Sequence, residues 1–350
     1  MDLGTIPSSV TWESPVNGRA TNEPIIQPEE FSLTVLVTGG AGFIGSNLVS
    51  ALAALGEHVV AFDDLSTGSE RNLEGVDGRL DLVVGDIRDT SAVRRAARGT
   101  SAVFHLAALG SVQRSIGDPF RTHAVNVDGT LNVLVAAREE GVNRLVYASS
   151  SAVYGDTSTL PRDESMAVSP LSPYAASKLA GESYCRAFHC SYRLGTVCLR
   201  LFNVFGPRQD PQSRYAAVIP RFIAEINEGR APEIYGDGRQ SRDFTFVDNV
   251  VHAMLQAASA SEAALGEVMN IGCGRRFSLL DVLDELGTLT GANVRPVFRP
   301  QRRMDVAHSE AAIDKARRLI GYSPSVTFSE GLASTVAWFL REATPMAATP

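Results

Sequence analysis

The run Thr38-Gly39-Gly40-Ala41-Gly42-Phe43-Ile44-Gly45 constrains this chain more than any other feature. An apolar, β-branched segment, Leu33–Val37, precedes it, and a helical pattern over Ser46–Leu55, stopped by Gly56, follows. Strand, glycine-rich turn and helix in that order make a dinucleotide-binding turn. Gly39 permits the tight turn, Gly42 lets backbone approach a pyrophosphate, and Gly45 lets helix and strand pack closely. The opening N–H groups of the helix, around Phe43 and Ile44, have no partners within it and face the anion. Asp63 comes near the ~20-residue spacing at which an acid meets the adenosine ribose. A carboxylate there repels a 2′-phosphate, Asp64 adds to the repulsion, and no arginine is adjacent, so NAD is favoured over NADP. Asp86 is placed to meet the adenine edge.

Short apolar runs alternate with helical patterns along the rest of the first two thirds, as a parallel α/β sheet demands. Strands are expected at His58–Phe62, Leu80–Val84, Ala102–His105, Leu145–Ala148 and Thr196–Leu201. Helices are expected around Ser91–Ala97, Asn132–Glu140 and Tyr174–Phe188. Strands this apolar suit a sheet buried on both faces. After Asn203 the texture changes to Gly-Pro, Asp-Pro and Gly-Asp-Gly segments, with regular alternation lost until Leu279–Leu289. The expected fold class is α/β, a Rossmann-type doubly wound parallel sheet with a smaller, discontinuous C-terminal substrate domain. Residues 31–203 with 244–272 form the first domain, Phe244–Ala258 and Val268–Ile271 returning to the main sheet. Residues 204–243 with 273–345 form the second. The chain after Arg341 is expected to fray.

Composition closes off other classes. A hydrophobic share of 44% with 20% charged residues is that of a globular protein. A formal net charge of -7 leaves no broad basic field for a phosphate backbone, which argues against nucleic acid. No apolar run approaches the ~20 residues that span a bilayer. Residues 1–30 read as a flexible extension without the apolar core of a secretory signal, so a cytoplasmic location is expected. Cys185, Cys190, Cys198 and Cys273 lack metal-ligand spacing and read as reduced thiols, and no metal site is expected.

Tyr174 and Lys178 lie one helical turn apart and share a face. A phenol with a pKa of about 10 is a poor base at neutral pH, and a nearby ammonium, reinforced by a positive nicotinamide, favours the phenolate. Ser149-Ser150-Ser151 ends the strand Leu145–Ala148, and the carboxyl end of a strand in an open α/β sheet faces the ligand crevice. Serines there can bond a substrate hydroxyl and relay its proton. His105 and His123 read as structural.

Together these pieces resemble the extended short-chain dehydrogenase/reductases, specifically the nucleotide-sugar epimerase/dehydratase group. The resemblance runs from Leu33 to Phe339. It is carried by Thr38–Gly45, Asp63–Gly68, Gly85-Asp86-Ile87, His105–Ala108, Asn126–Thr130, Ser149–Gly155, Ser172–Lys178 and Arg200–Gly206. The segments Ala108–Ser115, Arg208–Pro211, Tyr215–Pro220, Gly236–Phe244 and Asp305–Ser309 are similar to the substrate loops of UDP-N-acetylglucosamine 4-epimerases.

The resemblance implies that Tyr174 is the base, Lys178 the nicotinamide-ribose contact, and Ser150 the proton relay with Ser151 assisting. It implies cofactor contacts at Ser66, Thr67, Gly68, Ile87, Leu106, Ala107, Ala108, Asn126, Ser149 and Phe202, beside the glycine turn and Asp63, Asp64 and Asp86. It implies substrate contacts at Ser111, Arg114, Ser150, Asn203, Val218, Tyr235, Arg242, Arg302, Asp305 and Ser309, with Arg242 and Arg302 gripping the diphosphate. Ser309 matches a site that is often bulky in glucose-restricted relatives, and a small side chain there leaves room for a 2-acetamido group. The implied activity is NAD-dependent 4-epimerisation of a UDP-hexose. UDP-N-acetylglucosamine and UDP-N-acetylgalactosamine lead, with UDP-glucose and UDP-galactose also implied. A homodimer through the helices Asn132–Glu140 and Tyr174–Phe188 is implied too.

Three rivals share the fold. Dehydratases and decarboxylases usually carry acids where this chain has Ser151 and Ala152, which disfavours elimination. A uronic acid epimerase is the second. An NAD-sensing regulator is the third, and such proteins typically lack the Tyr–Lys pair retained here.

Overall fold

The computed structural model describes residues 33–211, 217–301 and 306–343. Six parallel strands of the main sheet come from the first part of the chain: β1 Thr34–Thr38, β2 His58–Asp63, β3 Arg79–Val84, β4 Ala102–His105, β5 Arg144–Ser150 and β6 Gly195–Leu201. A seventh, Val268–Ile271, pairs in parallel with β6. Across the sheet the order is Val268–Ile271, β6, β5, β4, β1, β2, β3. Strand order reverses between β1 and β4, and that reversal opens a crevice at their carboxyl ends.

Valine, leucine and phenylalanine fill the central strands because helices cover both faces; every residue of β6 is buried. β3 departs from that expectation. It is one of the two edge strands, where Leu80 and Leu82 pack on the core while Val84 stands 60% exposed. The helix after β1 starts at Phe43, three residues before the expected Ser46, because Gly42 opens it. Gly129–Glu139 likewise begins ahead of Asn132, continuing from a π turn at Ala124–Asp128.

His105 ties the switch point together. It is fully buried between Thr38 Oγ1 at 2.7 Å and Thr130 Oγ1 at 2.9 Å. Burial, with Lys178 nearby, drives its pKa down to about 3, so the ring stays neutral and structural.

The remaining elements gather over the carboxyl ends. Short pairs join Val204–Phe205 to Thr245–Phe246, Ser241–Arg242 to Phe277–Ser278, and Glu233–Tyr235 to Val297–Arg299. Helices Val218–Asn227, Asp314–Ile320 and Phe328–Ala343 were not anticipated from the sequence. One hydrophobic cluster runs from Val35 through Phe205 and Phe246 to Phe339, so sheet and C-terminal region share a core. The last helix carries on past Arg341 to Ala343. The 1–30 extension lies outside the described residues. All four cysteines are free thiols, and among the described residues no group of His, Cys, Asp and Glu could hold a metal.

Candidate active site

At the switch point lies a cleft of about 1430 Å³. Single small-molecule sites run to about 300–1,000 Å³, so this one has room for two ligands at once. Gly39 stands at φ +72°, and a Cβ on it would come within 2.7 Å of Ala107 N. Only glycine lets the loops after β1 and β4 close on each other here. A Cβ on Gly45 would lie 1.9 Å from Gly39 O, so the helix sits directly on the turn. Gly42 caps that helix without a side-chain hydrogen bond, leaving the first N–H groups to face the cleft.

Asp63 ends β2 and takes two backbone N–H groups, Ala41 at 3.0 Å on Oδ2 and Leu65 at 2.9 Å on Oδ1. Burial raises its pKa, partly offset by those donors. Asp64, Ser66, Thr67, Gly68 and Ile87 line the same end. Asp86 lines it too, but its carboxylate is forked by Arg88 at 3.0 and 2.5 Å, which holds it below the usual carboxylate range.

Tyr174, Lys178 and Glu182 occupy successive turns of the helix Pro173–Tyr192, and each meets the end of β5. Tyr174 and Ser150 line the same cleft. Lys178 Nζ donates to Ala148 O at 2.8 Å. Ser149 Oγ donates to Glu182 Oε1 at 2.5 Å. Arg200, paired with Ser149 in the sheet register, forks the same carboxylate at 2.9 and 2.8 Å. The helix is thus pinned to the strand in one axial position. Burial pushes the Tyr174 pKa up, against a smaller downward pull from Ser150, and it pushes Lys178 down to about 8. The expected lowering of Tyr174 by Lys178 is therefore absent from the protein alone: Lys178 directs a hydrogen bond to a carbonyl, and desolvation keeps the phenol neutral.

Opposite Tyr174 the cleft wall includes Asn203, Arg242, Ser309 and Arg162. Asn203 Nδ2 donates to Ser309 Oγ and to Asp243 O, both at 3.2 Å. Asp243, fully buried, takes the N–H groups of Cys273, Gly274 and Ala311, which fixes the strands around Arg242. A second cavity of about 270 Å³ shares Asn203 and Arg242 and is lined by Val218 and Tyr235.

A family model for the NAD dependent epimerase/dehydratase family matches residues 35–272. The chain belongs to that family. It is 40% identical over 311 residues to a UDP-glucose 4-epimerase of Mycolicibacterium smegmatis, covering 88% of this chain and 98% of the relative. A UDP-N-acetylglucosamine 4-epimerase of Methanobrevibacter ruminantium, solved with UDP-N-acetylmuramic acid, superposes with a TM-score of 0.85 at 38% identity, covering 89% and 99% of the two chains. A UDP-glucuronic acid 4-epimerase of Bacillus cereus, solved with UDP-glucuronic acid and NAD, gives 0.82 at 32% identity, covering 89% and 100%. The cradle between Gly39, Gly42, Gly45 and Asp63 fits the dinucleotide of this family, NAD, because the glycines let the turn close tightly on its neighbours and the helix it opens has no side-chain cap on its first N–H groups.

Within this epimerase-family cleft the sequence-derived residues fall into three groups. Leu106, Ala107, Ala108, Ser111, Arg114, Ser149, Ser150 and Ser151 line it with those already described. Asn126 and Phe202, expected on its surface, stand behind the wall. Asn126 is 1% exposed and bonds the backbone of Leu109 and the hydroxyl of Ser177, which braces the loop after β4. Phe202 is fully buried against Tyr154. Arg302 and Asp305 lie outside the described residues. Arg208, in a segment likened to a substrate loop, lines the cleft as well, and so do Arg162 and Trp338, which were not anticipated as site residues.

Proposed function

We propose that the protein interconverts the C4 epimers of UDP-hexoses, with UDP-N-acetylglucosamine and UDP-N-acetylgalactosamine leading and UDP-glucose and UDP-galactose also accepted. The observation that carries this reading is the Tyr174–Ser150 pair, which stands at the carboxyl end of β5 in a cleft that also contains the glycine turn. Arg242, where both cavities meet, holds the substrate diphosphate, and Val218 and Tyr235 enclose the uridine end. Ser309 leaves space beside the sugar for a 2-acetamido group.

NAD, held by the Gly39–Gly45 turn and Asp63, would supply the hydride acceptor and donor for C4 and a positive charge beside the phenol. With that charge beside it Tyr174 stands as the phenolate, and it takes the proton of the C4 hydroxyl, through Ser150, as the C4 carbonyl forms. Lys178, fixed by Ala148 O, contacts the cofactor ribose and keeps Tyr174 in place. The 4-keto ring turns about its diphosphate while Arg242 keeps the anchor. Tyr174 then gives its proton back to the C4 oxygen on the other face, so the chain ends as it began. Ser151 and Ala152 offer no acid for work at C5 or C6, which sets elimination aside.

A homodimer through the helices Gly129–Glu139 and Pro173–Tyr192 accompanies this reading. The second leaves Tyr192 52% exposed, and neighbouring Phe120 is 88% exposed. We place the enzyme in the cytoplasm, where UDP-sugars and reduced thiols belong together. Among the described residues no helix is long and apolar enough to cross a membrane.

The test is incubation of the purified enzyme and NAD with UDP-N-acetylglucosamine, UDP-glucose and UDP-glucuronate, followed by separation of epimers. Epimers should form from the first two, and Tyr174→Phe should slow this by about 10²–10⁴-fold. A 4-keto-6-deoxy product, or an undiminished Tyr174→Phe, would overturn the reading.

A further inference from the structure

Lysine occurs only twice in the 350 residues, as Lys178 and Lys315. Lys315 pairs with the Glu267 carboxylate at 2.7 Å. Lys178 has no such partner. It is 4% exposed, and among the described residues its hydrogen-bond acceptor is Ala148 O and no carboxylate stands within ion-pair distance. Glu182, one helical turn on, is already taken up by Arg200 and Ser149. A buried ammonium with a single neutral acceptor tends to give up its proton unless something else favours the charge.

The residue before Ala148 supplies that. Lys178 Nζ stands over the Tyr147 ring, 4.9 Å from its centroid, within the range at which the electron-rich face of an aromatic attracts a cation. Two successive residues of β5 thus meet the ammonium, one through a carbonyl and one through a ring. Tyr147 is 1% exposed, and its hydroxyl is buried without a hydrogen-bond partner. A Cβ on Gly181 would lie 2.2 Å from that oxygen, so the helix Pro173–Tyr192 has a glycine near its middle where the phenol seats. Both features work against stability, since an unpaired buried hydroxyl forfeits its water and a mid-helix glycine weakens a helix. Together they wedge the ring beneath Lys178. The other titratable groups around the ammonium do not stand in for it. His105 from β4 and Tyr174 are neutral in the protein alone, and Cys185, with Cys198 of β6 behind it, is a free thiol.

We propose that Tyr147 is a positioning residue whose ring face keeps Lys178 charged and aimed into the cleft beside Tyr174. The proposal rests on the reading of Lys178 as the partner of Tyr174, and it adds a residue that acts from outside the cleft lining. Burial brings Lys178 down to about 8, so a modest further loss would discharge it near neutral pH. With it would go the positive charge that helps to make Tyr174 a base.

NMR titration of the NAD-loaded enzyme tests this without turnover, so the result stays readable if the epimerase reading fails. Isotope labelling of the lysine side chains gives two signals, Lys178 and, as internal control, Lys315. Tyr147→Met should lower the Lys178 midpoint by at least about 0.5 pH unit, leaving Lys315 in place, and Tyr147→Phe should restore most of the difference. Exchanging Tyr147 for trifluorophenylalanine keeps the shape of a phenylalanine ring and drains the negative charge from its face. Its midpoint should fall at least about 0.5 pH unit below that of Tyr147→Phe. A smaller difference between the fluorinated and plain rings overturns the proposal, and so does a Tyr147→Met midpoint that stays with the wild type. Should Tyr147→Met fail to fold, the two aromatic variants decide alone.

Discussion

Removing the Glu182 carboxylate should unlock the helix that carries Tyr174. Glu182 and Arg200 side chains are 4% and 6% exposed, and their closest approach is 2.8 Å. Burial alone would lower the Arg200 pKa, yet hydrogen bonding and charge from Glu182 raise it above its ordinary value. In Glu182→Gln the guanidinium keeps its desolvation cost and loses its counter-charge. Breaking such a pair from one side costs about 3–5 kcal/mol. In a chain of this length each kcal/mol moves the melting temperature by about 2 °C, so a drop of about 6–10 °C is expected. Replacing both partners, as in Glu182→Leu with Arg200→Met, should recover most of it, because the uncompensated charge goes with the carboxylate. Thermal melts of the three proteins read this directly. A Glu182→Gln shift under 2 °C, or a double variant as unstable as the single one, would refute the reasoning.

Two further outcomes follow from the same geometry. His105 titrates near 6.5 in an unfolded chain and at about 3 in the folded one. The stability tied to its neutral ring is complete above pH 6.5 and is lost as pH falls toward 3, by up to about 1.4 kcal/mol per pH unit. Urea midpoints of the wild type should therefore fall more steeply between pH 6.5 and 4 than those of His105→Gln, and parallel slopes would contradict this. Ser309→Phe should fill the space beside Asn203, cutting kcat/KM for UDP-N-acetylglucosamine at least about 10-fold more than for UDP-glucose; equal losses for both sugars would contradict the assigned pocket.

The sheet was legible because its signals are local. Each of the seven strands is a short apolar run, and the glycine turn identifies itself by standing between a strand and a helix. Helix starts drifted where the opening residue has no side-chain signal, as at Gly42. The helix Val218–Asn227 was overlooked because Pro220 reads as a breaker, although a proline in the first turn lacks only an N–H that the helix does not use. Phe328–Ala343 did carry a signal. Thr327 and Glu330 bond each other reciprocally, the Thr-x-x-Glu box that opens a helix, and it can be read from the sequence. Tyr174, Lys178 and Ser150 were legible from helical spacing and strand polarity. Arg162 was not, because its approach to the cleft depends on long-range pairing with residues 310–312. Asn126 and Phe202 show the converse: adjacency to the site in sequence does not separate a wall from what braces it.

The fate of a deuterium placed at C4 of UDP-N-acetylglucosamine tests the central claim most directly. If Tyr174 manages only the hydroxyl proton while the carbon-bound hydrogen leaves and returns within one closed cleft, mass spectrometry and NMR will find the label still at C4 of the UDP-N-acetylgalactosamine formed. Epimerised product carrying solvent hydrogen at C4, or label moved to another carbon, would contradict the account.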